Sequence, residues 1–216
     1  MAPGARTRLN PAARRAQLVE LGLEMLSTRS LDELAIEDIA TAAGISRGLL
    51  FHYFPSKRDY REAVVRAAAA DLLDHLRPDL DLPLAERLRA AIGAFVDYVG
   101  DNRDTYVSLL RGASGGDPAL RTIFDETRTT IAAQVIDQLA AFADTELPTR
   151  VRLAIRGWVA YGEEVVLDWL SEPASDLDRG AIVDMLDQAL SALVTSAAAA
   201  GNPDLPGNAT SAAKPA

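Results

Sequence analysis

The sequence predicts an all-α chain of about nine helices. Three observations carry that prediction. Apolar residues recur at steps of three and four through most of the chain. No run of four to eight residues alternates apolar and polar between turn signals, and β-branched residues are nowhere dense. Gly, Pro, Ser and Asp fall where helices stop and restart. The 216 residues are 49% hydrophobic and 25% charged, which is ordinary for a globular protein. Such a length buries a core without staples.

The elements follow in order. Residues 14–28 carry Leu18, Leu21 and Met25 at helical spacing, with Leu26 beside them. Residues 30–34 break that helix. Residues 36–43 form a short second helix that ends at Gly44, a residue suited to a left-handed C-terminal position. Ser46 suits an N-cap for a third short helix through Phe54, which Pro55 ends. Ser56 caps a fourth helix over 57–76, with Tyr60, Val64, Ala68 and Leu72 on one stripe. Pro78 and Pro83 bracket a linker. Helices over 84–99 and 104–110 follow, then a break at residues 112–116. Asp117-Pro118 opens a helix to about 143, with Asp as cap and Pro at the first helical position. Helices from Pro148 to 170 and from Asp178 to 200 complete the set. Residues 201–216 hold little to bury and read as a disordered tail.

Composition excludes several chemistries. There is no cysteine, so a disulfide scaffold, a thiolate metal site and a cysteine nucleophile are ruled out. Only His52 and His75 occur, which excludes a multi-histidine cage. No metal or cofactor is expected. No apolar run reaches the ~18 residues of a membrane helix, and residues 1–6 lack an apolar signal core. A cytoplasmic chain with no membrane partner is the expectation.

The net charge of −9 argues on its own against nucleic acid as a partner. Its distribution argues the other way. Residues 1–70 hold ten basic and eight acidic residues, so the excess acid lies entirely downstream. Arg6, Arg8, Arg14 and Arg15 precede the first acid, Glu20. Residues 39–58 contain Arg47, Lys57 and Arg58 and no acid. A small basic face on an acidic body would turn that face toward DNA.

The second and third helices joined by Ala43-Gly44-Ile45-Ser46 have the pattern of a helix-turn-helix. Glycine permits the turn, Ile45 plugs the gap, and Ile39, Ala40, Leu50 and Phe54 supply a core. The other side of the third helix holds Arg47, Gly48, Leu49, His52 and Tyr53. A helix entering the major groove needs small residues near its N-terminus beside hydrogen-bonding groups, and Ser46, Arg47 and Gly48 suit that. Tyr53 and Lys57 suit phosphates at the far end.

The segment from Glu37 to Arg58 closely resembles the TetR-type family of bacterial transcriptional repressors. Ile39-Ala40, Ala43-Gly44-Ile45-Ser46, Gly48, Leu50, Tyr53-Phe54 and Lys57 carry the resemblance. It covers roughly residues 11–76; the remainder is similar only in size and helical pattern. The resemblance implies an N-terminal three-helix DNA-binding domain and a C-terminal helical domain that dimerises and binds an effector. It implies a homodimer through the last two helices, with double-stranded operator DNA and a small-molecule effector as partners. Carried over by position, Ser46, Arg47, Gly48 and Leu49 would face bases, His52 and Tyr53 would reach bases or backbone, and Lys57 would sit at a phosphate. Two positions depart from the family pattern. Ala35 stands where Thr often caps the second helix, and Phe51 replaces the usual Tyr. Both bear on affinity rather than fold, and the N-terminal arginines would compensate through the minor groove.

The expected division is a basic arm at 1–10, a DNA-binding domain at 11–76 with its linking helix, an effector and dimerisation domain at 83–200, and the tail. The helix over 148–170 is apolar nearly all round, so it is buried on more than one side. Trp158 and Trp169 share a face and read as core, interface anchor or pocket wall. Gly157 and Gly162 allow close helix approach or leave room for a ligand. Tyr161, Glu164 and Asp168 share one side, either an exposed face or a site for a cationic effector. Tyr98, Tyr106 and Arg111 are further effector candidates.

Two other functions were weighed. Gly112-Ala113-Ser114-Gly115-Gly116 matches G-x-S-x-G, but no strand precedes it and both histidines lie upstream. No catalytic residue is assigned and the chain is not read as an enzyme. The other alternative is a helical dimer that binds a small molecule or protein with weak or no specific DNA binding. Ala35 and Phe51 are the features that favour it.

Overall fold

The computed structural model describes residues 10–114, 117–171 and 176–200, the side chains of 111–114 excepted. The expected arm (with Arg6 and Arg8), the tail, the side chain of Arg111 and Gly115-Gly116 lie outside the described residues. Nine α-helices and no strand occur among the described residues: α1 (Pro11–Leu26), α2 (Ile36–Ala42), α3 (Arg47–Tyr53), α4 (Lys57–His75), α5 (Leu84–Asp101), α6 (Arg103–Ser114), α7 (Pro118–Ala143), α8 (Thr149–Ser171) and α9 (Arg179–Ala199).

Two boundaries differ from the sequence reading by three residues or more. Helix α1 starts three residues earlier because Asn10 accepts the Ala13 N–H at 2.7 Å, with Pro11 at the first helical position. Helix α6 continues to Ser114, so residues 112–114 are helical rather than a break. One interior glycine costs a helix only about 1 kcal/mol.

The chain forms two compact units. The first takes residues up to Asp74 with Asp101–Glu126; the second takes His75–Gly100 and Thr127 onward. The units therefore interleave along the sequence, where a single crossing at the Pro78–Pro83 linker was expected. In the first unit Leu109, Leu120 and Ile123 join the cluster of Leu18, Leu26, Ile39, Leu50, Phe54 and Val64. The Leu31 N–H also donates to Ser108 Oγ at 2.8 Å. These links tie α6 and the start of α7 to the N-terminal helices.

Tyr60 anchors α4 within this unit. Its hydroxyl donates to the Leu18 carbonyl at 2.7 Å inside the core, and burial pushes its phenol pKa up. Gly22 makes the room. A Cβ there would lie 2.6 Å from both Tyr60 Oη and a Val64 methyl.

In the second unit α8 and α9 pack against each other along much of their length. The stripe Val151, Ile155, Trp158, Gly162 and Val166 is buried on α8, with Ile182, Val183, Leu186 and Leu190 on α9. Glu163 is buried too and pairs with Arg128 of α7, whose Nε lies 2.8 Å away. Arg179 holds Asp97 of α5 through a hydrogen bond of 2.6 Å, and Arg89 pairs with Asp184. Helix α9 is long and apolar enough by length and composition to cross a membrane. Its apolar stripe is occupied by α8, and Asp184 and Asp187 stand on it as ion-pair partners of Arg89.

Two outcomes follow from these contacts. Gly22→Ala gains helix propensity but overpacks Tyr60 and Val64, for a net loss of about 1–2 kcal/mol; a urea midpoint no lower than wild type contradicts this. The second concerns pH. Hydrogen bonds from Arg179 hold the Asp97 carboxyl below its usual value. A depressed folded-state value means the pair stabilises above the ordinary carboxylate range of about 3.9 and loses its effect as pH falls through the folded value. Asp97→Asn therefore lowers Tm slightly at neutral pH, and the gap closes in acid.

Candidate nucleic-acid interface and ligand cavity

Helices α2 and α3 are joined by a turn that only glycine accommodates without strain. Gly44 has φ of 63°, its N–H donates to the Thr41 carbonyl at 3.1 Å, and Ile45 N–H donates to Ala40 at 2.9 Å. Ser46 then opens α3, its Oγ accepting the Leu49 N–H at 3.2 Å. Seven residues are too few for a helix to persist alone. Leu50 and Phe54 anchor it, at 0% and 1% exposure. Phe54 packs edge-on against Tyr60 with ring centres 5.0 Å apart, and the Arg15 guanidinium caps the Phe54 ring at 4.8 Å.

Burying that side drives the other outward. Ser46, Arg47, Gly48, Leu49, His52 and Lys57 are exposed, and Tyr53 is half-buried with its ring edge-on to His52. The structure thus brings the seven candidates to one exposed side of α3 and the start of α4. Ser56 caps α4, accepting the Asp59 N–H at 3.1 Å.

Arg47 is not loose. Its guanidinium pairs with Glu37 of α2 at 2.8 Å and lies 5.8 Å from the Phe51 ring centre. Sequence spacing did not reveal Glu37, because the pairing crosses the turn. Ala35 provides α2 with no side-chain cap. Glu37 and Asp38 in the first turn offset that loss through the helix dipole, and Asp38 also pairs with Arg29.

The second unit holds a cavity of about 60 Å³ between α5, α7, α8 and α9. Phe95, Ile131, Trp158 and Leu186 form much of its wall, and Leu76, the residue after α4, completes one end. Gln134 and Gln138 are its polar wall residues. Gly162 on the wall would place a Cβ in ordinary contact with Leu186, at 3.8 Å.

The effector candidates are not brought together. Trp158 lines the cavity, its Nε1 donating to the Leu186 carbonyl at 2.9 Å. Tyr161, Glu164 and Asp168 do share one side of α8, but it is the exposed side, away from the buried stripe. Tyr98 is buried with its ring 5.1 Å from His75 rather than at the cavity, and Tyr106 belongs to the first unit. The wall residues on α5 and α7 escaped sequence reasoning because ordinary core residues share their apolar spacing.

The first unit contains a helix-turn-helix whose second helix presents Arg47, Gly48, Leu49 and His52 to solvent. Comparison with known proteins agrees. Residues 18–64 match the model of the tetR family of bacterial regulatory proteins, and residues 84–193 match that of the tetracyclin repressor-like C-terminal domain. The chain belongs to the TetR family. A tetR-family transcriptional regulator from Streptomyces coelicolor has the same fold at 32% identity, with a TM-score of 0.74 over 89% of this chain and 85% of that one. The HTH-type transcriptional regulator LuxR of Vibrio harveyi is 33% identical over 45% of this chain, and the match spans 48% of that protein. The HTH-type transcriptional activator FasR of Mycolicibacterium smegmatis is 25% identical over 76% of this chain and 75% of its own length.

Proposed function

We propose that the chain is a homodimeric, ligand-responsive transcriptional regulator. It represses by occupying a pseudo-palindromic operator and leaves it when a small molecule fills the cavity. The observation that carries this is the outward face of α3, clamped by Leu50 and Phe54, where Arg47 stands exposed beside its partner Glu37 in a segment, 39–58, that itself contains no acid. Ser46, Arg47, Gly48 and Leu49 meet base edges, His52 and Tyr53 reach bases or backbone, and Lys57 takes a phosphate. Leu49, 40% exposed, suits a thymine methyl.

An exposed surface on the α8–α9 pair supports dimerisation. Leu153 is 59% exposed, a Cβ at Gly157 would meet nothing within 4 Å, and Tyr161 and Leu193 are each 40% exposed. A second copy would cover this surface in a self-complementary interface. Two recognition helices then sit about 34 Å apart to enter successive major grooves. Leu76 lines the cavity and directly follows α4, whose first residue is Lys57. A ligand that displaces Leu76 therefore acts on the helix leading to the recognition helix. Such coupling is reciprocal, so operator weakens ligand binding by the factor by which ligand weakens operator binding.

Fluorescence anisotropy against DNA upstream of its own and neighbouring genes, at two salt concentrations, tests this. Selective binding that weakens steeply with salt supports it. The absence of selective binding favours a helical binding module instead. A reporter that rises when the protein is removed supports repression; one that falls shows activation. Arg47→Ala costs about 1–3 kcal/mol on the preferred operator and relaxes base preference, while Lys57→Ala weakens all sequences alike. An unchanged preference in Arg47→Ala overturns the assigned register. Leu153→Asp shifts the dimer toward monomer in analytical ultracentrifugation.

A further inference from the structure

The cavity wall has an unmet polar requirement. Gln138 Nε2 donates to the Gln134 carbonyl at 3.1 Å, and only the amide nitrogen can do so. This fixes the amide, and its Oε1 is left buried with no hydrogen-bond donor among the described residues. Such an acceptor is costly to leave unpaired. Trp158, which shares the wall, cannot help, because its N–H is committed to Leu186. Among the described residues the wall holds no Asp, Glu, Lys, Arg or His.

We infer that this cavity takes an uncharged and mainly apolar molecule that carries one hydrogen-bond donor, a hydroxyl or amide N–H, placed against Gln138 Oε1. An ionised ligand would lose its hydration with no counter-charge to replace it, which outweighs what apolar contact returns. A carboxylate would also set an acceptor against an acceptor. The inference rests on the reading of this unit as the effector-binding part. It replaces the cationic ligand that Glu164 and Asp168 suggested, since both lie on the exposed side of α8.

The chain supplies its own reporter. With Trp169→Phe, Trp158 on the wall is the sole tryptophan. The full-length protein is titrated with straight-chain alcohols from butanol to decanol, with the methyl ethers, carboxylates and amines of matched length, at neutral pH. Alcohols change Trp158 emission saturably and raise Tm. Ethers, which lack the donor, bind about tenfold more weakly, and carboxylates and amines bind more weakly still. Gln138→Leu erases the difference between alcohol and ether. Carboxylates or amines binding as well as alcohols, equal binding of alcohols and ethers to the wild-type chain, or no saturable binding by any alcohol each overturns the inference. Operator release is read separately by anisotropy. Alcohol binding that leaves operator affinity unchanged refutes the effector role while leaving the ligand class intact.

Discussion

Leu50 and Phe54 hold a seven-residue helix in place by one side alone. A helix this short has no stability of its own, since nucleation consumes most of what its few hydrogen bonds return. Its persistence therefore comes from tertiary burial, and that burial sets which residues face outward. Tyr60 closes the arrangement: its ring meets Phe54, and its hydroxyl is fixed to α1 through Leu18. Gly22 permits the approach by having no side chain. The exposed row from Ser46 to His52 is the geometric complement of this small core.

Residues whose role is set by local physics were legible in the sequence. Gly44 at a left-handed turn, Ser46 and Ser56 as caps, and the stripe Tyr60, Val64, Ala68 and Leu72 need only neighbours three or four residues away. The whole outward face of α3 follows from them. Roles that depend on distant partners were hidden. The Arg47–Glu37 pair crosses a turn, and the Arg128–Glu163 pair joins two helices. Glu163 carries a signal of its own: it lies between Val159 and Val166 on the buried side of α8, where a carboxylate requires a cation. Its neighbour Glu164 lies on the exposed side. Periodicity groups residues on a face but does not say what that face meets.

The same limit explains the interleaved units. Helix α6 is no more apolar than its neighbours, and nothing in its spacing assigns it to the N-terminal core. Ser108 meeting the Leu31 amide, and Leu109 joining the cluster around Leu18, are long-range facts. They place α6 and the beginning of α7 with the helix-turn-helix, while the remainder of α7 contributes Ile131 and Gln138 to the cavity. Both α4 and α7 thus pass from one unit into the other as continuous helices.

On the proposed function, that continuity is the route by which ligand in the cavity would act on α3. A helix transmits displacement along its axis because its backbone hydrogen bonds resist stretching, whereas a loop would absorb it. Leu76, a wall residue of the cavity, stands one residue beyond α4, and Lys57, a candidate phosphate contact, is the first residue of that helix. A guest that moves the wall side chains does so in close-packed surroundings that give few directions for that movement. On the proposed function, only a difference in the ligand's affinity between two states of the regulator can shift it from one to the other.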